Sequence, residues 1–323
     1  MALSDLAVFT EYAYKTKTEI LRQQIELFNA ASRGTIALRQ AANQGDYNEA
    51  AFFAKVSGGL VVRRNAYGTG ANSTAVMSQL TERTIKVGAG TKTVAIDPGQ
   101  FKWIQMNPET AGAAMGQQLA VDSMADMLNT SVGAGYSALA QVADVTYDGS
   151  AATATHVALL NGSRKFGDRS QDILCWVMHS KVHNDLLALN MANSAQLFSF
   201  GSVNVMADFQ GRPFIITDSP SLVTVDGVSA GVDKYHSLGL TTEAFVVEQN
   251  NDFTDNWETS NGQINIGRTY QAEWTYNLGV KGFAWDKTNG GHSPTTAALT
   301  TATNWDKIAT DIKDLAGVVV ETR

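Results

Sequence analysis

The apolar positions of this chain form a few long, regular patterns separated by stretches of little order. Ile20, Leu21, Ile25, Leu27, Phe28, Ile36 and Leu38 recur at mostly helical intervals across residues 16–42, with Gly34 as an interruption, which predicts a helix and then a kink or a second helix. Asn107-Pro108-Glu109 reads as a helix start: a side chain that accepts free N–H groups, a proline at the first helical position, and an acid at the positive end of the dipole. Met115, Leu119, Met124, Met127, Leu128, Val132, Tyr136 and Leu139 continue that helix over 108–142, about 50 Å at 1.5 Å per residue. Gly112, Gly116, Gly133 and Gly135 allow close backbone approach and a kink near 133.

Alternation with period two marks 264–281. Even positions such as Ile264, Tyr270, Trp274, Tyr276 and Val280 are mostly apolar and odd positions mostly polar, which predicts a strand on the order of 55 Å long with one face buried. After Gly282 the phase flips to Phe283 and Trp285, a bulge or bend. The apolar run 173–178 reads as a strand buried on both faces, followed by a helix that Ser180 caps and that buries Val182, Leu186, Leu187 and Leu189. Segments 203–206 and 214–217 read as further strands flanking a turn at 208–211. After a low-complexity linker at 288–303, Asn304 is expected to cap a short helix with Trp305, Ile308, Ile312 and Leu315 on one face and Gly317 at its end. Val318 and Val320 are then expected to pair with a sheet edge. These elements make an α+β chain.

Residues 43–106 have another texture. Short β-prone pieces at 59–63, 91–96 and 101–106 alternate with Asn, Gly and Thr, residues 73–87 have a helical reading through Val76, Met77, Leu80 and Ile85, and 65–74 reads as an exposed loop tip. This segment holds too few apolar residues for a core of its own.

Composition adds exclusions. The 323 residues are 44% apolar and 17% charged, ordinary for a soluble globular protein. No apolar run approaches the roughly 20 residues of a membrane span, and the N-terminus lacks a basic region followed by an apolar one, so no membrane association and a cytoplasmic residence are expected. The single cysteine, Cys175, excludes an internal disulfide or a zinc site built on cysteine pairs. The net charge of −7 hides a split: residues 1–102 carry 12 basic and 8 acidic side chains, and residues 103–323 carry 12 and 23. The basic residues are dispersed and do not form a nucleic-acid-binding stripe. Opposite potentials instead predict that a basic arm of one copy lies on the acidic body of another, with Arg63, Arg64 and Arg83 as candidate intersubunit contacts.

Candidate chemistry is thin. His179 and His183 have the spacing of zinc ligands on a helix, but His-Ser-Lys-Val-His lacks the glutamate base of a metalloprotease, and no third ligand is indicated. Gly68-Thr-Gly70-Ala-Asn-Ser73 lacks the third glycine of a dinucleotide loop. Asp144 and Asp148 lack the alternating ligands of a calcium loop, and Cys175 reads as a buried, inert thiol. The pairs Asp122/Asp126 and Asp252/Asp255 read as solvated faces or intersubunit contacts. No active site, cofactor or metal is expected; a metalloenzyme using His179 and His183 is the reading from another class.

The order of an N-terminal helical arm, a loop-rich segment, a long helix, an α+β region and very long strands resembles the major capsid proteins of tailed bacteriophages and their HK97-like capsid fold. The local match is Phe209-Gln-Gly-Arg-Pro213-Phe-Ile-Ile-Thr-Asp218-Ser-Pro220, similar to the family's Gly-Lys/Arg-Pro, β run and Ser/Thr-Asp…Pro turn. Residues 1–14, 97–109 and 304–322 also resemble siphophage coat proteins. The resemblance implies an N-terminal arm (1–50), an extended loop overlapping a neighbouring subunit (51–106), a peripheral domain with a spine helix and long strands (107–142 and 241–323), and an axial domain (143–240). It further implies hexamers and pentamers of the chain in an icosahedral shell around double-stranded DNA, bound without sequence specificity. Scaffolding, portal and decoration proteins are the implied partners, and the virion the destination after assembly in the host cytoplasm. No scaffolding segment of about a hundred residues precedes the arm, which implies a separate scaffold or a processed product. An encapsulin-like bacterial nanocompartment shell is the alternative on the same fold.

Overall fold

The structure is a computed structural model that describes residues 2–41, 45–53, 61–72, 74, 76–77, 79–189, 195–200, 203–207, 212–225, 232–261, 264 and 266–323. The chain begins with helix α1 (Ala2–Ala31), then strands β1 (Ile36–Gln40), β2 (Tyr47–Phe53), β3 (Gln79–Gly90) and β4 (Val94–Ala95), and helices α2 (Pro98–Met106) and α3 (Pro108–Ala140). Next come β5 (Thr146–Asp148), α4 (His156–Arg164), β6 (Cys175–Met178), α5 (Ser180–Ala188), β7 (Ala195–Phe200), β8 (Val203–Ala207), β9 (Pro213–Ile216), β10 (Val223–Thr224) and β11 (Lys234–Leu240). The chain closes with β12 (Phe245–Gln249), β13 (Thr254–Ser260), β14 (Gly267–Val280), β15 (Phe283–Trp285), α6 (Thr296–Leu299), β16 (Trp305–Lys307) and β17 (Gly317–Thr322).

Two sheets carry most of these strands. One runs β1-β12-β14-β3-β2, with β13 and β4 also on β14; the other runs β5-β17-β11-β6-β9-β8-β7, with β10 on β11. Helix α3 contributes Met124, Met127, Leu128, Val132, Ala134 and Ala138 to the core shared by both sheets. Its continuous helical span over 108–140 replaces the kink expected near 133. The close approach expected of its glycines is present: a Cβ on Gly112 or Gly116 would lie 2.5 Å from the carbonyl oxygen of Phe9 or Ala13 on α1, so only glycine lets the two helices cross this closely. Asn107 precedes the helix without a side-chain capping bond, and Pro108 sits at its first turn.

Strand β14 is the predicted alternating strand, shortened to 14 residues, about 46 Å at 3.3 Å per residue. Tyr270, Ala272, Tyr276, Leu278 and Val280 are buried, while Gln271 and Glu273 are exposed. The expected break is a turn at Gly282, whose φ of +82° excludes side-chain-bearing residues at low strain, and β15 follows it. Strand β6 is buried at all four positions, as its apolar run predicts.

Several local readings are corrected. The helix expected over 16–42 begins at residue 2 and stops at 31, and 36–40 is a strand in parallel register with 245–249. Asn29 makes this switch: its amide donates to the Leu38 carbonyl (2.8 Å) and accepts from the Leu38 N–H (3.1 Å), so the helix end serves as the neighbour of β1. The helix expected over 73–87 is strand β3, which places Ile85 and Val87 in the shared core and so gives the segment a share in it. The β-prone piece 101–106 is helix α2, where Pro98 starts the turn and Phe101 and Ile104 share a buried face three residues apart. The cap of α5 is His179, whose ring accepts from the Lys181 N–H, and Leu187 and Leu189 are exposed. The C-terminal helix expected after Asn304 is strand β16 plus a short turn at 312–314, because Trp305 pairs with Trp285 across the β15–β16 ladder. Residues 208–211, the expected turn and the first part of the matched motif, lie outside the described residues; Pro213–Ile216 is a strand as expected. Strand β17 lies between β5 and β11, so the valines do pair with a sheet, inside it.

Candidate intersubunit surface

Strands β2 and β3 form an antiparallel ladder from Tyr47↔Ile85 out to Phe53↔Gln79. Beyond it, residues 61–72, 74 and 76–77 are exposed without exception and carry no helix or strand. Val61 is 93% and Tyr67 95% exposed, and Val76 and Met77 are exposed as well. Apolar side chains left this open mark a candidate interaction surface.

The root of this hairpin is held to the body. Arg83 Nε donates to Glu49 (2.8 Å) and its Nη1 to the Trp285 carbonyl (2.7 Å), and Lys287 forms an ion pair with the same Glu49. Hydrogen bonds from Lys287 and Arg83 hold the Glu49 carboxyl below the usual range. Tyr47 donates to the Gly291 carbonyl (3.0 Å), and Trp285, fully buried and edge-on to Trp305 at 5.0 Å, donates its indole N–H to that carbonyl (3.1 Å). A fixed root and an open tip make a projecting lever.

The three candidate arginines separate on this geometry. Arg63 and Arg64 lie in the exposed segment and have no ion partner among the described residues. Arg83 is engaged within its own chain at the root. Sequence reasoning missed Glu49, Lys287 and Tyr47, because each meets a partner about 240 residues away and no local period reports that.

A groove of about 880 Å³ runs between α3 and the sheet formed by β3 and β14. Met115 and Leu119 give it an apolar floor beside Asp122, Ser123 and Asp126. Among the described residues, the buried Ser123 hydroxyl has no partner and the indole N–H of Trp274, on the opposite wall, has no acceptor. Of the two acidic pairs, Asp122, Asp126 and Asp252 are exposed, as the solvated reading expects, and Asp255 is half-buried. Asp126 accepts from the Tyr276 hydroxyl (3.1 Å), with its carboxyl pushed up by burial, and Asp252 and Asp255 accept from Thr275 and Tyr270.

The remaining candidate chemistry resolves into structure. His179 caps α5, and His183 is buried at 5% exposure, which pushes its pKa down. Among the described residues no group of three His, Cys, Asp or Glu side chains is placed to hold a metal ion. Cys175 is fully buried and its thiol pushed up to about 12, so almost no thiolate forms at neutral pH. Gly68 and Gly70 belong to the exposed loop, and Ser73 lies outside the described residues. Asp148 accepts from the backbone and hydroxyl of Ser150, a local turn. No described helix is long and apolar enough to cross a membrane.

Solved structures that match the chain include phage capsids. The acid-stable capsid of Helicobacter pylori bacteriophage KHP30 is 9% identical over 91% of this chain and 89% of that one, with a TM-score of 0.48. The capsid of Ralstonia phage GP4 is 10% identical over 90% and 88% (TM-score 0.46), and the cyanophage Pam1 capsid 13% over 87% and 85% (TM-score 0.46). No curated protein matches the sequence. The family described as Gp13-like, major capsid protein 13-like, matches residues 5–319, nearly the whole length of the chain and both of its sheets. The chain belongs to that family and is a phage major capsid protein, a shell-forming structural protein of α+β fold.

Proposed function

We propose that copies of this chain tile an icosahedral shell as hexamers and pentamers by laying the exposed loop of each protomer on the body of the next. The observation that carries this reading is the hairpin with a fixed root and an apolar, basic tip that has no core of its own. In this arrangement 1–50 is the arm and 51–106 the extended loop. Residues 107–142 and 241–323 make the peripheral domain, and 143–240 the axial domain around the vertices. A basic tip on an acidic neighbour sets the speed and register of association. Many overlapping loops distribute the load of the packaged DNA over the shell, and an acidic body avoids tight association with that polyanion. A scaffolding protein directs closure, a portal occupies one vertex, decoration proteins bind outside, and assembly takes place in the host cytoplasm before the product becomes the virion shell.

Negative-stain microscopy of the purified chain, with its scaffold present, tests the reading: rings, shells or tubes are expected. A strictly monomeric product at high concentration would overturn it. The variant Arg63→Glu with Arg64→Glu is expected to keep its circular dichroism spectrum and lose assembly, and normal shells from it would remove the role given to the loop.

A further inference from the structure

His236 on β11 is 1% exposed and sits where α3, β10 and β17 meet. Its ring stacks on Tyr136 of α3, with centroids 4.4 Å apart and planes 29° from parallel. Two hydroxyls reach the same ring nitrogen: Nε2 lies 3.1 Å from the Tyr136 oxygen and 2.8 Å from Thr224 Oγ1 on β10. Nδ1 faces the Glu321 carboxylate of β17 at 3.7 Å, too far for a hydrogen bond, and has no hydrogen-bond partner among the described residues. These neighbours place the one proton of the neutral ring on Nδ1 and leave the Nε2 lone pair to accept from a hydroxyl. Glu321 is shared with Lys234, whose Nζ lies 3.8 Å from its other oxygen, and Asp148 of β5, in register with Glu321, feels the same lysine. Tyr136, the titratable group that α3 brings, is kept neutral by burial, and β10 brings only Val223 and Thr224.

We propose that His236 is an acid-operated catch that holds β10 and the outer end of β11 (234–236) against α3: the neutral ring keeps them closed, and the imidazolium releases them. The catch is independent of the exposed loop and of its overlap with a neighbour. A second proton on the closed ring turns Nε2 from acceptor into donor, so the bonds from the Tyr136 and Thr224 hydroxyls must reverse. The Tyr136 face and Glu321 favour the cation, but burial outweighs both and the Lys234 charge adds to it, lowering the pKa from 6.5 to about 4. Released into water, the ring recovers its ordinary value, so between pH 6.5 and 4 the open form binds more protons than the closed one. The closed form has its full advantage above pH 6.5 and loses it as the pH falls through that window. Few other bonds resist release. β10 pairs with β11 at two positions only, Val223↔Tyr235 and Thr224↔Lys234. The inner end of β11 differs: Leu238, Gly239 and Leu240 are clamped between β6 and β17. Val225, 70% exposed just beyond β10, moves with the released part, so acid repositions an apolar side chain at the surface.

Hydrogen exchange of the unassembled full chain between pH 7.5 and 4 tests the catch. Protection factors of the amides of residues 234–236 are expected to fall about a hundredfold across that range, while those of α3 and of residues 238–240 hold. In His236→Gln, which keeps a hydrogen-bonding side chain without a titrating ring, the fall should be less than about threefold. An equal fall in the variant, or an equal fall in α3, would overturn the proposal. If the variant does not fold, the imidazole resonances of the unaltered chain decide. At about pH 5.5 His236 should still be neutral with its proton on Nδ1, a full unit below the ordinary midpoint. An imidazolium signal at that pH, with residues 234–236 as protected as at pH 7.5, would overturn the catch.

Discussion

The body around α3 and the hairpin built on β2 and β3 solve the same problem by opposite means. In the body, Met124, Met127, Phe245, Trp285 and Trp305 are sealed within one chain, and the sequence repeats that seal at helical and strand periods. In the hairpin, Val61, Tyr67, Val76 and Met77 stay in water, and the root is fixed by charges and hydrogen bonds. The first region buries its apolar groups within one chain; the second leaves them open to solvent. A shell protein needs both, because a protomer that satisfied every apolar group internally would have nothing left with which to hold its neighbours.

The largest effect belongs to the body. Trp285→Ala removes a fully buried indole, its edge-on contact with Trp305 and its bond to the Gly291 carbonyl. Losses of about 3–5 kcal/mol are typical of such truncations. Denaturant unfolding of the unassembled protomer should show that loss, whereas Tyr67→Ser should leave the midpoint unchanged. Equal losses from both would erase the distinction between sealed body and open tip.

How much of this was legible in the sequence follows the same division. Helix α3 was readable from Pro108 and a sustained period near 3.6, and β14 from alternation, because α3 buries one stripe from Ala111 to Leu128 and β14 alternates buried and open positions from Tyr270 to Glu273. Strand β1 was not, since Ile36 and Leu38 fit two periods equally well and the choice is made by β12, more than 200 residues on, and by the Asn29 side chain. Helix α2 hid behind Phe101, Trp103 and Ile104, which favour strands in isolation, and tertiary packing of 101 and 104 overrode that preference. At the surface, Arg63 and Arg64 were visible as charge, but the root contacts of Glu49, Lys287 and Gly291 were not, because they join distant segments.

A middle-sized effect tests whether the arm helix belongs to the body. Lys17 on α1 is 4% exposed, with its ammonium 3.8 Å over the Trp274 ring and 4.1 Å over that of Phe253. Burial lowers its pKa to about 7, and Asp252 partly opposes the shift. The unfolded chain, with an ordinary lysine, binds more protons than the folded one between pH 7 and 10.5, so folding stability rises with pH across that window. The gain should be about 2–4 kcal/mol, and the two aromatic faces, which favour the cation, place it toward the lower end. In Lys17→Met the rise should vanish. A slope that survives the substitution would mean that α1 is docked without Lys17 as a buried group.

The smallest effect lies at the junction. Arg83→Ala removes one of the two cations on Glu49 and the donor to the Trp285 carbonyl, and leaves the buried side chains of the core in place. Global unfolding of the unassembled protomer should therefore stay close to that of the unaltered chain, since partly exposed ion pairs contribute little. Amide hydrogen exchange along the β2–β3 ladder, from Tyr47↔Ile85 outward, should accelerate by about three- to tenfold through local opening, while amides of α3 exchange as before. If α3 accelerates equally, the root is part of one cooperative unit with the body and the lever has no separate hinge. If only the ladder responds, the protein holds its loop at an angle set by Arg83, Glu49 and Lys287, and the direction in which each copy reaches its neighbour is encoded in those three side chains.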